Sequence, residues 1–324
     1  MTGTTKGQIV WGILGCGDVT EVKSGPALQK ANRSAVLQVM RRDGQKAADY
    51  AARHGIDQWT DSAEAMISNP DLDAIYVATP PSTHADYAIR AMRAGKHVMV
   101  EKPMALTIAE CAAMRAAQAQ TGQKLTVAFY RRALPRFERM REIIQKGEIG
   151  EVRLVEAKQF LPADRRPGQA WKLDPEIGGG GLFADMQTHT LDWLRYMFGA
   201  PTAARGQMKQ QSGAYKAEDL VTYLIDFGDV SAVGQFSYAA YAGEESVTVH
   251  GSAGAVSMGF FRPSPLTLVT ADGPREIDLP DPAHVHQPFV ERVVSYFLDD
   301  APNPCPAEEG QGTNELLEVF RAGL

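Results

Sequence analysis

Short apolar runs alternate with amphipathic stretches over about the first 130 residues of the chain. The runs have the length of buried strands, and the stretches between them repeat with the period of a helix. The predicted strands are Ile9–Leu14, Ala35–Met40, Ala74–Thr79, Val98–Val100 and Leu125–Phe129. The predicted helices are Lys46–Arg53, Ala85–Ala94 capped by Ser82-Thr83, and Ile108–Gln120, each closed by a glycine. Repeated strand–helix units with short connections indicate a parallel sheet with helices on both faces.

The pattern changes after about residue 150, where strands follow one another with turns between them. These predicted strands are Val152–Phe160, Val221–Phe227, Ser231–Ser237, Ser246–His250, Ala255–Met258, Leu266–Thr270 and Arg275–Leu279. Other predicted elements are a Pro/Gly-rich loop at Leu161–Gly168 and helices at Leu182–Phe198, Gln287–Leu298 and Asn314–Arg321. Strands joined by Gly, Asp and Pro turns indicate an antiparallel sheet. We therefore expect an α/β fold class, with a nucleotide domain over residues 1–130 and an α+β domain over 131–324, whose last helices can pack back on the first domain.

Composition agrees with a two-domain protein, because 324 residues exceed one typical core. The formal net charge of −6 makes nucleic acid or an anionic membrane an unexpected partner. The polar first residues lack the apolar core of a signal peptide, so we expect a cytoplasmic protein. Cys16, Cys111 and Cys305 show no paired spacing, which predicts neither disulfides nor a metal site. Cys16 lies beside the predicted phosphate loop, where oxidation or alkylation would affect cofactor binding.

The segment Gly15–Thr20 follows the first strand and matches the first two glycines of a dinucleotide fingerprint. Gly15 allows a tight turn, and Gly17 lets the main chain at Asp18 and Val19 approach a pyrophosphate at a helix N-terminus. The third position is Thr20, so we expect the helix to pack less closely on the strand. A glycine pair in a turn can also be purely structural, but its place at the first strand–helix junction favours a nucleotide.

The end of the second strand distinguishes NADP from NAD. An acidic residue there would bind the ribose hydroxyl of NAD, whereas arginine suits the 2′-phosphate of NADP. The strand ends in Met40-Arg41-Arg42-Asp43, and bidentate guanidinium contacts favour NADP(H). The alternative is that Arg41 and Arg42 are solvated and that Asp43 binds the ribose of NAD(H).

Two further segments carry groups suited to proton transfer. Lys102 directly follows a buried strand, at the edge where open α/β sheets bind ligands. Asp185 and His189 lie one turn apart on the predicted helix, within one arc that also includes Asp192. His189 is the candidate acid or base, because imidazole titrates near neutral pH. Lys102 would stabilise the reacting oxygen or relay its proton, and Asp185 would orient the substrate or the imidazole.

A polar arc on a helix can also be ordinary solvated surface. The preceding run Gly178–Gly181 argues against that reading, since four glycines are best explained by close approach of a ligand or of another backbone. Asp192 stays open, because it can equally orient a neighbour or form a salt bridge.

Several motifs together resemble the Gfo/Idh/MocA family, the glucose–fructose oxidoreductase and inositol dehydrogenase group. They are Ala78-Thr79-Pro80-Pro81, His84, Ala94-Gly95-Lys96-His97-Val98, Glu101-Lys102-Pro103, and Gly178–Gly181 followed by Asp185, His189 and Asp192. The resemblance covers nearly the whole chain. It implies a Rossmann domain, a second domain with a large, mainly antiparallel open sheet that forms homodimers or homotetramers, and NAD(P)-dependent chemistry on sugars, inositols or related polyols. It also implies that Thr79, Pro80, Pro81, His84 and Glu101 belong to the cofactor site.

Three more residues are candidates for the substrate pocket. Arg131 follows the last strand of the first domain, and Trp171-Lys172 precedes the glycine run. Trp171 could stack on a sugar, and the two cations could reach hydroxyls or a carboxylate, although packing and solvent exposure explain them equally well.

Two other functions are compatible with the same fold. One is a catalytically silent cofactor-binding regulator, which the intact Lys102, Asp185 and His189 disfavour. The other is a reductase or dehydrogenase of dihydrodiols or biliverdin, which a pocket rich in aromatic side chains would favour.

Overall fold

The computed structural model describes residues 7–162 and 167–323, which form two compact units. The first unit contains the chain up to Arg131 together with Pro282–Gln311, and the second contains Arg132–Asp281 with the residues from Gly312 onward. Residues 163–166 of the predicted Pro/Gly-rich loop, and the first six residues used in the signal-peptide argument, lie outside the described residues.

Fourteen strands, numbered along the chain, are present in the described residues. They are β1 Ile9–Leu14, β2 Ser34–Met40, β3 Gln58–Thr60, β4 Ala74–Val77, β5 His97–Val100, β6 Leu125–Val127, β7 Val152–Phe160, β8 Ala203–Lys209, β9 Leu220–Asp226, β10 Ser231–Ser237, β11 Glu244–Gly251, β12 Gly254–Met258, β13 Leu266–Thr270 and β14 Gly273–Ile277. The α-helices are α1 Asp18–Val22, α2 Ser24–Lys30, α3 Gly44–His54, α4 Ala63–Ile67, α5 His84–Arg93, α6 Ile108–Thr121, α7 Pro135–Gln145, α8 Pro175–Gly178, α9 Thr188–Phe198, α10 Gln287–Asp299 and α11 Ala307–Ala322. Short 3₁₀ helices lie at Pro81–Thr83, Tyr130–Ala133 and Pro167–Leu173.

The first unit is built on a six-stranded parallel sheet in the order β3-β2-β1-β4-β5-β6. Its central strands are apolar and buried because helices cover both faces. The strand order reverses between β1 and β4, which is the switch point where sheets of this kind bind ligands at their carboxyl edge. The predicted doubly wound nucleotide domain is confirmed. Helix α10, from the far end of the chain, also belongs to this unit and packs on α2 and β1.

The second unit is built on an eight-stranded sheet in the order β14-β13-β12-β11-β7-β10-β9-β8. Only the β7–β10 pair is parallel, so the predicted large, mainly antiparallel sheet is confirmed. Side chains of β9 and β10 alternate between a buried face and a half-buried face, as do those of the second half of β7. The buried face carries Val155, Tyr223 and Phe236, and Tyr223 stacks on Phe320 of α11.

The helix expected over Leu182–Phe198 contains a π-helical turn at Phe183–Gln187, which α9 continues. This turn changes the angular spacing between Asp185 and His189 from that of a regular α-helix. Most of the segment is buried, including Phe183, Trp193, Leu194, His189 and Asp192. The reading of its polar arc as a solvated helix face is therefore wrong.

Candidate active site

The loop after β1 forms the part of the first unit that can approach a phosphate. Gly15 has φ of +102°, and a β-carbon there would lie 2.8 Å from the main-chain nitrogen of Thr79. A β-carbon at Gly17 would meet only the Gly15 oxygen, at 3.9 Å, so the main chain at Gly17 is open to approach. The amide groups of Asp18 and Val19 begin α1 directly beside it. This cradle fits the pyrophosphate of a dinucleotide.

Thr20 holds the loop in shape. Its hydroxyl donates to the Gly17 carbonyl at 2.8 Å and accepts from the Gly17 amide at 2.9 Å. The hydroxyl of Tyr50 donates to the Thr20 carbonyl at 2.7 Å, and a β-carbon at Gly25 would lie 2.2 Å from the same oxygen. Thr20 is fully buried, so its side chain is part of the packed interior of this loop.

Cys16 is enclosed within the same loop. Its side chain is buried, and burial raises the pKa of its thiol to about 11. At neutral pH the residue is a protonated thiol, which is a poor nucleophile. The expected sensitivity of this site to oxidation or alkylation therefore has no support in the folded protein.

Arg41, directly after β2, contacts the loop that follows β1. Arg41 is half-buried, and its guanidinium donates to the Cys16 carbonyl at 3.4 Å. Arg42 is exposed. Asp43 caps α3, where its carboxylate accepts from the Lys46 amide at 3.2 Å. The carboxylate that could have served the ribose of NAD thus already has a structural partner.

His84 connects two loops at the carboxyl edge of the sheet. Its Nε2 lies 2.7 Å from the Thr79 carbonyl, and its Nδ1 lies 2.9 Å from the Pro103 carbonyl. The ring has no exposed surface, so it can support the cofactor loops but offers no face to a cofactor. Thr83 occupies the N-cap position of α5 as expected, but its hydroxyl makes no capping hydrogen bond and donates instead to the Pro80 carbonyl at 2.9 Å.

Glu101 is a buried carboxylate directly after β5. Its Oε1 accepts from the Tyr76 hydroxyl at 2.5 Å, and its Oε2 accepts from the Lys102 amide at 3.2 Å. Burial by itself would raise the pKa of Glu101, but His286, Lys102 and Tyr76 together lower it to about 2. Lys102 follows at the same edge of the sheet, and its peptide bond to Pro103 is cis.

His286 is a residue of this cluster that the sequence did not suggest. It is 2% exposed, packs against Tyr130 with ring centroids 3.9 Å apart and ring planes tilted by 32°, and lies 3.6 Å from Glu101. Burial lowers the pKa of His286, and the neighbouring Glu101 carboxylate opposes that shift. No spacing signal links His286 to Glu101, because 185 positions separate them (286 minus 101) and only the return of the chain to the first unit brings them together.

The second unit brings Asp185 and Lys172 together. The ammonium of Lys172 donates to the Asp185 carboxylate at 3.0 Å, and both side chains are about a fifth to a quarter exposed, at 22% and 24%. Lys172 also lies 5.7 Å from the ring centroid of Trp171, which is half-buried. These three predicted residues therefore form one cluster with access to solvent.

His189 is 5% exposed and lies on α9, with the ring of Phe261 edge-on at a centroid distance of 6.4 Å. Phe261 is half-buried and was not predicted from the sequence. Arg131, a predicted substrate residue of the first unit, is 8% exposed, and its guanidinium lies over the Tyr130 ring at 5.4 Å.

The glycine run serves the close approach of other backbone segments. A β-carbon at Gly178 would lie 3.0 Å from the Trp171 carbonyl, and one at Gly181 would lie 2.8 Å from the Glu218 carbonyl. Gly179 and Gly180 have positive φ values of 79° and 145°. Of the two predicted explanations, the structure supports approach of another backbone.

Asp192 has a structural partner. Its carboxylate accepts from Nε and Nη2 of Arg132 at 2.7–3.1 Å, and the two side chains are 2% and 5% exposed. Arg132 also lies over the Tyr196 ring at 4.7 Å. Of the roles left open from the sequence, the salt bridge is the one observed.

The described residues offer neither a membrane-spanning helix nor a cluster of metal ligands. None of the helices there combines the length and apolar character needed to cross a bilayer. No group of three or more His, Cys, Asp or Glu side chains in residues 7–162 and 167–323 is placed to hold a metal ion.

Family models match both parts of the chain. Residues 9–129 match an oxidoreductase family model described as an NAD-binding Rossmann fold, and residues 137–257 match the GFO/IDH/MocA C-terminal domain. Oxidoreductase P35 of Formosa agariphila is 36% identical over 97% of this chain and 98% of its own length. The 1,5-anhydro-D-fructose reductase of Ensifer adhaerens is 29% identical over 93% of this chain and 91% of its own.

Solved structures share the same fold. An oxidoreductase from Agrobacterium radiobacter, in complex with NAD⁺, L-tartaric acid and magnesium, has a TM-score of 0.86 at 18% identity, over 96% of this chain and 94% of its own. A 3-ketoreductase from Actinomadura kijaniata, in complex with NADP and TDP-benzene, also has a TM-score of 0.86, at 23% identity over 98% of both chains.

Proposed function

The chain belongs to the GFO/IDH/MocA oxidoreductase family, and from that premise we propose that it transfers a hydride between NADP(H) and a sugar, inositol or related polyol or carbonyl compound. The observation that carries this proposal is the position of Lys102. It follows β5 at the carboxyl edge of the parallel sheet, the edge that also carries the Gly15–Gly17 loop at the switch point. An ammonium group there can serve a reacting oxygen beside the nicotinamide end of a bound dinucleotide.

In the proposed reaction, Lys102 stabilises charge and His189 transfers the proton. A bound nicotinamide cofactor would supply the hydride acceptor for oxidation of the carbinol carbon, or the hydride donor in the reductive direction. Lys102 donates a hydrogen bond to the reacting oxygen and stabilises its developing negative charge. His189 takes the hydroxyl proton as the general base and returns it as the general acid in reduction. Asp185, held by Lys172, orients the substrate hydroxyls.

The cofactor would be held by the first unit. The amides of Asp18 and Val19 would bind the pyrophosphate, while the Thr79–Pro81 loop and Glu101 would bind the ribose beside the nicotinamide. Arg41 and Arg42 would bind the 2′-phosphate of NADP, and the engagement of Asp43 in capping α3 supports NADP over NAD. We also infer a reducing, cytoplasmic setting, since all three cysteines are free thiols.

Fluorescence titration with NADPH and NADH tests the cofactor preference. We expect tighter binding of NADPH, and we expect Arg41→Ala to weaken NADPH by roughly tenfold or more while changing NADH little. Arg93→Ala, at an exposed arginine at the end of α5, is the matched control. Equal or tighter binding of NADH by the wild type would refute the preference.

A panel of polyols and aldoses, extended by a trans-dihydrodiol and biliverdin, tests the reaction itself. Lys102→Ala and His189→Ala are each expected to lower turnover by about a hundredfold or more on any substrate of the wild type, with the fold retained. Wild-type turnover in both variants would overturn the assigned roles. Cofactor binding with no turnover on any panel member would favour the silent regulator, and turnover confined to dihydrodiols or biliverdin would favour the second alternative.

A further inference from the structure

A chain of buried polar side chains leads from the helix that carries His189 into the large sheet. The hydroxyl of Thr190 donates to Oε1 of Gln187 at 2.6 Å, and Nε2 of Gln187 donates to Oε1 of Gln159 at 2.8 Å. Nε2 of Gln159 then donates to Oε2 of Glu245 at 2.9 Å. Thr190, Gln187 and Gln159 are at most 2% exposed. Polar groups this deeply buried destabilise a fold unless they are hydrogen-bonded, and here each one is.

The other end of this chain of hydrogen bonds lies at Phe261, whose ring contacts the imidazole of His189. Oε1 of Glu245 accepts from the main-chain amides of Phe261 and Arg262, at 2.9 Å and 2.6 Å. The ring of Phe261 then lies edge-on to His189, with the centroids 6.4 Å apart. The chain therefore begins at Thr190, the neighbour of His189 in sequence, and ends at the aromatic ring beside His189.

The direction of every hydrogen bond in the chain is fixed by its carboxylate. Glu245 can only accept, so Gln159 must present its NH₂ group to Glu245 and its oxygen to Gln187. Gln187 must in turn present its NH₂ group to Gln159 and its oxygen to Thr190. Because Gln159 and Glu245 are directly opposite each other on β7 and β11, the sheet register sets the position of both.

We propose that Glu245, Gln159 and Gln187 are positioning residues that fix the imidazole of His189 against Phe261. Gln187 is the last residue of the π-helical turn that carries Asp185, so the same hydrogen bonds fix the start of α9. Apolar side chains could fill this space equally well, but only a directed chain of donors and acceptors specifies one arrangement of helix and loop. The effect on turnover rests on the proposed function, whereas the placement of the imidazole does not.

Exchanging the donor and the acceptor side chains of the hydrogen bond between Gln159 and Glu245 tests the proposal. Gln159→Glu sets two carboxylates against each other. Glu245→Gln either sets its NH₂ group against that of Gln159 or forces Gln159 and Gln187 to turn over, so that the Thr190 hydroxyl must accept a hydrogen bond where it now donates one. The double variant restores a complete chain, since the new Gln at 245 donates to the new Glu at 159, which also accepts from Gln187. Glu244→Gln is the control, because Glu244 is the exposed neighbour of Glu245 and pairs with Lys158 on the other side of the strand.

The first readout is the NMR spectrum of the histidine rings, with His189→Gln used to assign the His189 signal. We expect each single swap to move that signal, the double swap to return it to the wild-type position, and the control to leave it in place. The second readout is kinetic: each single swap should lower kcat by about tenfold to a hundredfold, and the double swap should recover most of it. NADPH affinity should not change in any variant.

An unmoved His189 signal in both folded single variants would overturn the proposal, as would a double variant no better than the singles. If the wild type turned over no polyol or aldose, the proposed function would fail, and the NMR comparison would still decide whether these residues position the imidazole.

Discussion

At the scale of single residues, buried polar groups at the carboxyl edge of the parallel sheet support one another. His84 links the Thr79 and Pro103 carbonyls, and Tyr76 and His286 surround the Glu101 carboxylate. The sequence predicts that Lys102 lies at the carboxyl edge of the parallel sheet, because the residue follows a predicted strand, and the structure has it just after β5. It does not indicate the partners of Glu101 and Asp192, because His286 and Arg132 are distant in sequence and only tertiary packing brings them there.

Cys16 provides a prediction at this scale. Because burial raises the pKa of its thiol to about 11, iodoacetamide should label Cys16 in the native protein far more slowly than in denatured protein at the same neutral pH. Mass spectrometry of the peptides measures both rates. Rapid native labelling of Cys16, with Cys111 and Cys305 protected, would show that the loop opens around this thiol.

At the scale of elements, strands and long helices were predictable and short or irregular elements were not. The bounds of β1, β7, β10 and β13 agree with the apolar pattern to the residue. Strand β3 was not predicted because it has only three residues, and β8 was not predicted because it carries few apolar side chains. Helices α2, α4 and α7 were also not predicted, because they are short or strongly polar. The π-helical turn has no signal in a periodicity calculation that assumes a regular helix.

The ion pair between α9 and the 3₁₀ helix that contains Arg132 gives an element-scale prediction. Asp192→Ala leaves the buried Arg132 without its carboxylate, which should lower the free energy of unfolding by about 3–5 kcal/mol. Asp299→Ala removes an exposed partner of Arg33 and should cost at most about 1 kcal/mol. Urea denaturation measures both. If Asp192→Ala kept its stability but lost turnover, Asp192 would instead take part in the reaction.

The contact between α1 and α3 gives a pH prediction. Hydrogen bonds from Arg53, and then from His54, lower the pKa of Glu21 from 4.5 to about 2. A carboxyl group with a lowered folded-state pKa stabilises the fold above its unfolded pKa, and this stability is lost as the pH falls through the folded pKa. The difference in Tm between wild type and Glu21→Gln should therefore shrink from pH 4.5 to about 2. A difference independent of pH would contradict this account, and Glu276→Gln, at an exposed residue of β14, is the control.

At the scale of the whole molecule, the alternation of strand–helix units and then of strands was enough to predict both sheets. The sequence suggested that the last helices can pack back on the first domain, and α10 does belong to the first unit, but it gave no bounds for the returning segment Pro282–Gln311 and no sign that this segment supplies His286. Tertiary packing determines where this segment lies, because its composition is that of an ordinary loop and helix.

The half-buried face of the eight-stranded sheet carries Leu154, Leu224, Val233 and Val269 among polar side chains, and Val269 is 42% exposed. We propose that this face joins copies of the chain into a homodimer or homotetramer. Leu224→Glu should then lower the mass measured by light scattering to that of one chain, while Val319→Glu on α11 should leave it unchanged. A wild type that is already monomeric at working concentrations would refute the proposal.

The most direct test of hydride transfer is the fate of deuterium when both hydrogens at C4 of the reduced cofactor are replaced by deuterium. With a ketose or inosose that the enzyme reduces, wild-type protein should place one deuterium on the new carbinol carbon, and Lys102→Met should form almost no labelled product. Mass spectrometry and NMR of the product measure both results. Turnover that leaves the deuterium out of the product, or full labelling by Lys102→Met, would contradict hydride transfer assisted by Lys102.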